Sequence, residues 1–175
     1  MNQVLIVDDE ADIRASLEAI LREEDYATMS AGTAAEALDL IRDADFQAIL
    51  LDIWLPDSDG LDLLAKIRED RSRASVPEVI MISGHGTIEA AVRATKLGAY
   101  DFLEKPLSLD RTLLVLRNAI QAHKLREDNQ EFARQLTSRS SVTGDSVPMK
   151  ALRQQIKLMA PTNGRVLIYL SLIHI

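Results

Sequence analysis

Residues 3–7 read QVLIV, residues 48–52 AILLD and residues 79–83 VIMIS. Each is a strand-length, nearly unbroken apolar run, the pattern of a strand whose two faces are both covered. Two further runs, YATMSA (26–31) and YDFLE (100–104), have the same length. Between the runs the apolar spacing changes to that of helices, at Ile13, Leu17, Ile20 and Leu21, then Ala34, Ala37, Leu38 and Ile41. It continues at Leu61, Leu64, Ala65 and Ile67, then at Ile88, Ala91, Val92 and Thr95. Asp12, Thr33 and Thr87 stand where N-caps are expected, and Gly98 where a helix would stop. Five strands, each followed by a helix, predict a doubly wound α/β fold with a five-stranded parallel sheet. In such a sheet ligands gather beyond the carboxyl ends of the strands.

Those ends carry Asp8-Asp9-Glu10, Asp52, Ser83 and Glu104-Lys105-Pro106. Taken singly, an Asp pair is a common helix cap, Lys-Pro a turn, and Asp52 ahead of Pro56 and Gly60 ordinary loop chemistry. Their co-occurrence, one group per strand end on a single edge, points to a site. Carboxylates crowded together raise one another's pKa unless a cation joins them. Oxygen ligands without His or Cys favour a hard ion such as Mg²⁺. A carboxylate beside such an ion and a lysine is a competent nucleophile toward a phosphoryl group.

A fifth helix starts near Ser108 and its pattern runs without Gly or Pro to about Leu136. Leu113, Leu116 and Ile120 are expected on the sheet. Beyond them Leu125, Asn129, Phe132 and Leu136 follow heptad spacing, read either as a dimer seam with Asn129 setting register or as a solvated linker helix. Residues 137–148 (TSRSSVTGDSVP) form a polar linker, residues 149–160 a helix, and RVLIYLSLIHI a strand-like end.

The chain of 175 residues and 27 Asp and Glu against 20 Lys and Arg is divided in charge: residues 1–110 carry net −13 and residues 111–175 net +6. An acidic first part argues against nucleic acid there and suits a cation or a basic partner. The basic remainder reads as a solvated helical tail or as a contact for nucleic acid or another acidic surface. There is no cysteine, which removes disulfides, thiol catalysis and cysteine-based metal sites. No basic segment precedes Val4–Val7 and no apolar stretch reaches bilayer length, so a cytoplasmic protein with no membrane partner is expected.

LIVDDEADIR (5–14), LLDIWLPDSDGLDLL (50–64), VIMISGHG (79–86) and GAYDFLEKP (98–106) resemble a response-regulator receiver domain of two-component signalling over residues 1–122. The resemblance implies a flavodoxin-like sheet of order 2-1-3-4-5. It implies that Asp52 accepts a phosphoryl group from a sensor histidine kinase, and that Asp8, Asp9, Asp52 and the Ile53–Trp54 backbone hold Mg²⁺. Lys105, preceding a cis Pro106, would pair with phosphoryl oxygens and Ser83 would follow the group inward. The aromatic switch position is Phe102, which departs from the commoner tyrosine and lacks its hydroxyl. Trp54 and His85, each two residues beyond a landmark, would tune the phosphoryl lifetime or simply pack.

The wording is nearest the nitrogen-regulation NtrX/NtrC type, whose kinase partner would be NtrY-like. Homodimers through residues 87–97, 100–104 and the fifth helix are expected, with residues 123–143 as a helical linker. Residues 144–168 resemble the opening of an AAA+ domain, and residues 169–175 (YLSLIHI) read as a non-native tail where a Walker A loop would follow. DNA and sigma-54 polymerase contacts would belong to domains outside this chain, and no ATPase activity is expected of it. A phosphatase of the haloacid-dehalogenase type would need a second Asp two residues after the nucleophile, where this chain has Trp54. A dimerisation module with a silent acidic pocket is the other alternative.

Overall fold

The computed structural model describes residues 2–70, 75–84, 88–139, 144 and 146–161, the side chains of residues 136–139 excepted. Five strands, β1 (Gln3–Val7), β2 (Ala27–Ala31), β3 (Ala48–Asp52), β4 (Glu78–Ser83) and β5 (Asp101–Glu104), form one parallel sheet of order β2-β1-β3-β4-β5. They alternate with α1 (Ala11–Glu23), α2 (Ala34–Asp43), α3 (Gly60–Glu69), α4 (Ile88–Lys96) and α5 (Leu109–Arg139), and α6 (Val147–Met159) follows. The doubly wound five-stranded sheet read from the sequence is the one observed.

Strand alternation sends successive side chains to opposite faces. Leu5, Val7, Ile49, Leu51, Val79 and Met81 pack on one side with α2, α3 and Ala94 of α4. Val4, Ile6, Leu50, Ile80, Ile82 and Leu103 pack on the other with Leu17 and Leu21 of α1 and Leu116, Ala119 and Ile120 of α5. Every residue of β3 and β4 is buried, which is why those strands read as continuous apolar runs.

The helix ends mostly follow local rules. Thr33 Oγ1 accepts from the Glu36 N–H at 3.2 Å and caps α2. Gly98, at φ 93°, closes α4: its N–H donates to the Thr95 carbonyl and the Ala99 N–H to the Ala94 carbonyl. That paired pattern needs a left-handed residue, which glycine supplies without strain.

Three expectations need correction or narrowing. The N-cap of α1 is Glu10, so Asp12 lies inside the first turn, where the helix dipole favours an acid. The Ile88, Ala91, Val92, Thr95 stripe of α4 does not face the sheet: Ile88 is 85% exposed and Val92 46%. Small Ala90 and Ala94 pack instead, letting the helix lie close to β5, and periodicity alone cannot choose between two apolar faces. The polar linker is shorter than read, because α5 runs to Arg139 and α6 starts at Val147 with Pro148 in its first turn. Thr87, and the strand-like end after Gly164, lie outside the described residues.

The chain divides into two units, residues 1–130 and 131–175. A polar clasp at the amino end of β4 carries the first unit past residue 122. Glu78, 1% exposed, pairs with Arg68 of α3 at 3.2 Å and with Arg126 of α5. His123, 2% exposed, donates from Nδ1 to the Val76 carbonyl in the tautomer that lets Nε2 accept from the Ser75 hydroxyl, both at 3.3 Å. In the second unit, α6 follows Ser146, and the Arg153 guanidinium donates to the Gly144 carbonyl. No helix among the described residues is long and apolar enough to cross a membrane.

Candidate functional site: an acidic cleft at the strand ends

Parallel pairing brings the carboxyl ends of β1, β3, β4 and β5 to one edge, where Val7 is beside Leu51, Asp52 beside Ile82, and Ser83 beside Glu104. Asp8 and Ser83 are fully buried, Asp52 is 3% exposed, and Asp9 and Glu10 stand at the surface. Asp9, Glu10, Asp52, Trp54, Gly84 and Lys105 line a cleft of about 540 Å³.

Lys105 holds the acids together. Its Nζ lies 2.7 Å from Asp52 Oδ2, 2.8 Å from Asp8 Oδ2 and 3.1 Å from Glu10 Oε1. Its backbone N–H donates to the Ser83 carbonyl at 2.8 Å, and the Lys105–Pro106 bond is cis. Burial alone would pull the Lys105 pKa down, but the Asp52, Asp8 and Glu10 carboxylates gathered around its ammonium outweigh it and raise it above the ordinary lysine value. Burial pushes Asp8 above the usual carboxylate range and the Asp52 charge adds to this, while Lys105 and the Glu10 N–H oppose it.

Both oxygens of the Asp52 carboxylate are engaged, Oδ1 by the Trp54 N–H at 3.1 Å and Oδ2 by Lys105. Asp8 Oδ1 accepts from the Glu10 N–H at 2.9 Å. Asp8 Oδ2 is buried and close to Lys105 but outside hydrogen-bonding direction. A buried carboxylate oxygen without a hydrogen-bond donor, in a cluster where Asp8, Asp9 and Glu10 bring oxygens within 4.8 Å of one another, is a donor set fitted to a hard cation.

The loop after β3 is tied down twice. The Gly60 N–H donates to the Ile53 carbonyl at 2.8 Å, and Asp59 caps α3 by accepting from the Leu61 N–H at 2.8 Å. The Asp57 carboxylate crosses to the amino end of α2, accepting from the Ala34 and Ala35 N–H groups at 2.8 and 3.0 Å. Those two bonds lower its pKa.

The family model of the "Response regulator receiver domain" matches residues 4–117. The chain belongs to the response-regulator receiver family. This receiver is 43% identical over 169 residues to the nitrogen assimilation regulatory protein NtrX of Azorhizobium caulinodans, covering 95% of this chain and 36% of that one. It is similar to the crystal structure of NtrX from Brucella abortus in complex with ADP, with TM-score 0.68 and 41% identity over 94% of this chain and 36% of that one. A solution structure of the beryllofluoride-activated NtrC4 receiver domain dimer matches at TM-score 0.65 and 45% identity, over 70% of this chain and 99% of that one. The chain spans about a third of the length of the curated relatives it matches, 34% and 36% for two of them.

Of the residues singled out in the sequence, the receiver gathers Asp8, Asp9, Asp52, Ser83 and Lys105 at one edge. Trp54 lines the cleft but is 65% exposed. Phe102 is half-buried against the layer of α2, α3 and α4. Leu125, Asn129 and Phe132 are exposed on α5. His85 and the Leu136 side chain lie outside the described residues.

Sequence reasoning missed four contributors. Glu10 was visible only as the third acid of DDE. Arg14, whose Nη1 donates to the Asp8 carbonyl at 2.6 Å, carries no local signature. Asp57 belongs to the DSDG turn, which signals a loop without saying which helix it caps. Gly60 shows its importance only in space, because a Cβ there would lie 2.0 Å from the Asp52 carbonyl oxygen.

Proposed function

We propose that this receiver is a phosphorylation switch in which Asp52 is the acceptor. The observation that carries the reading is the triangle of Asp52, Asp8 and Lys105, in which one partly buried ammonium holds two buried carboxylates at 2.7 and 2.8 Å. An Asp52 carboxylate oxygen attacks the phosphorus of a phosphohistidine on a sensor histidine kinase. The P–N bond breaks, its electron pair stays with the imidazole nitrogen, and an acyl phosphate forms on Asp52. The Lys105 ammonium then donates to a phosphoryl oxygen, and the Ser83 hydroxyl supplies a further donor. Asp8, Asp9, Asp52 and the Trp54 backbone carbonyl would hold Mg²⁺, since the Ile53 carbonyl already accepts from Gly60. Bound there, Mg²⁺ supplies charge neutralisation for the phosphoryl oxygens.

Drawing Ser83 and Lys105 toward a phosphoryl group pulls on β4 and β5. Phe102, without a hydroxyl, follows by packing. The exposed stripe of α4 lies beside this relay and would alter its partner preference, with α5 as the second dimer surface. Leu125, Asn129, Phe132 and Leu136 are candidates for a seam along that helix. Similarity to NtrX proteins supports nitrogen-linked transcriptional control in the cytoplasm with an NtrY-like kinase. Contacts with DNA and sigma-54 polymerase would be made through other parts of such regulators. Trp54 and His85 would adjust how long the phosphoryl group survives hydrolysis.

Hydrogen exchange with Mg²⁺ and beryllofluoride, a phosphoryl mimic, tests the switch. Protection should change in β4, α4 and β5 and stay constant in α1, with light scattering showing a higher oligomer fraction. Unaltered exchange around α4 and β5 with the mimic bound would contradict it.

A further inference from the structure

Glu10 behaves unlike a helix cap. It is the N-cap residue of α1, with φ −78° and ψ 106°, yet its side chain makes no capping bond. A carboxylate there has the free N–H groups and positive end of the helix dipole within reach. It turns away instead and accepts from Lys105 Nζ at 3.1 Å, while its own N–H donates to Asp8 Oδ1 at 2.9 Å. The residue thus touches both a buried acid and the lysine. Its side chain is 59% exposed, against 5% for Asp52 and fully buried for Asp8.

An ammonium has three protons, and Lys105 has three carboxylates around it at 2.7, 2.8 and 3.1 Å. Lys105 donates to Asp52 and Glu10 and forms an ion pair with Asp8, so a phosphoryl oxygen drawn to it competes with these carboxylates. Glu10 is the longest of the three contacts and the most exposed, so its bond costs least to exchange with water. Until displaced, its charge adds to the pull on a cation and repels an anionic donor approaching the cleft mouth.

We propose that Glu10 is a positioning residue with opposite effects on the two species that enter the site: its charge strengthens Mg²⁺ binding and slows phosphoryl transfer from an anionic donor by occupying Lys105. The inference rests on the phosphoacceptor reading of Asp52.

The test uses the whole chain with Glu10→Gln, which removes the charge at constant size, and Glu10→Asp, which keeps it. Mg²⁺ affinity is read by isothermal titration calorimetry and the phosphorylation rate with acetyl phosphate at saturating Mg²⁺. For Glu10→Gln, the Mg²⁺ Kd should rise about two- to five-fold and the rate should also rise about two- to five-fold, as expected for one charge at a solvated rim. Both differences should shrink as salt is raised to about 0.5 M, and Glu10→Asp should stay near the parent in Mg²⁺ affinity. A merely structural role would weaken binding and transfer together. Falling or unchanged transfer in Glu10→Gln, or unchanged Mg²⁺ affinity, overturns the inference while leaving the phosphoacceptor reading intact. A parent protein that takes neither Mg²⁺ nor phosphate would defeat that reading itself.

Discussion

Gly60→Ala is expected to lower the unfolding free energy of the receiver unit by about 3 kcal/mol and its Tm by about 10 °C, and to reduce the phosphorylation rate at least tenfold. The added Cβ would lie 2.0 Å from the Asp52 carbonyl oxygen and 2.9 Å from Ile53 Cα, both backbone atoms that no rotamer change can clear. The loop must open, breaking the 2.8 Å bond from the Gly60 N–H to the Ile53 carbonyl. That moves the residue immediately after Asp52 and the Trp54 N–H that orients its carboxylate. The demand is for space and not for backbone freedom, since Gly60 has no left-handed φ. Thermal unfolding and acetyl-phosphate labelling read the two effects; an alanine variant with the parent's Tm and rate would show that the loop is not held this tightly.

The second large effect lies at the other end of the sheet. Glu78→Ala should cost about 3 kcal/mol, because removing one partner of a buried ion pair strands the other charge. Arg68, with 18% side-chain exposure, loses the acid opposite it, and Arg126 loses its hold on β4. Burial already pulls the Arg68 guanidinium pKa below its ordinary value, with Glu78 offsetting part of that. Glu78→Gln keeps a hydrogen-bond acceptor and should lose roughly half as much. Urea unfolding measures the cost, and hydrogen exchange in residues 121–130 should speed up in step. A loss below about 1 kcal/mol would place the clasp among surface ion pairs of little consequence.

The sheet was legible for a physical reason. Strands covered on both faces carry polar side chains only at their ends, where partners meet them, so β1, β3 and β4 announce themselves as apolar runs. The site followed from topology, because parallel strands deliver Asp8, Asp52, Ser83 and Lys105 to one edge whatever lies between them. Packing choices were not legible. α4 has two apolar faces, and the larger one, with Ile88 and Val92, is the one left outside. Glu78, His123 and Arg126 read as ordinary polar residues, since only the fold shows that α5 passes the start of β4. The same holds for Asp57, which caps a helix 22 and 23 residues away. Asp12 misled because Asp is a favoured cap, while the turn after Asp9 is short enough to start α1 one residue after Glu10.

Intact mass after incubation with Mg²⁺ and acetyl phosphate tests the central claim most directly, comparing the parent chain with Asp52→Asn. The parent should gain about 80 Da, one phosphoryl group, and lose the gain when Mg²⁺ is chelated beforehand, while Asp52→Asn should gain nothing. An equal gain in Asp52→Asn, or no gain in the parent with Mg²⁺ bound, would contradict the assignment of Asp52 as the acceptor.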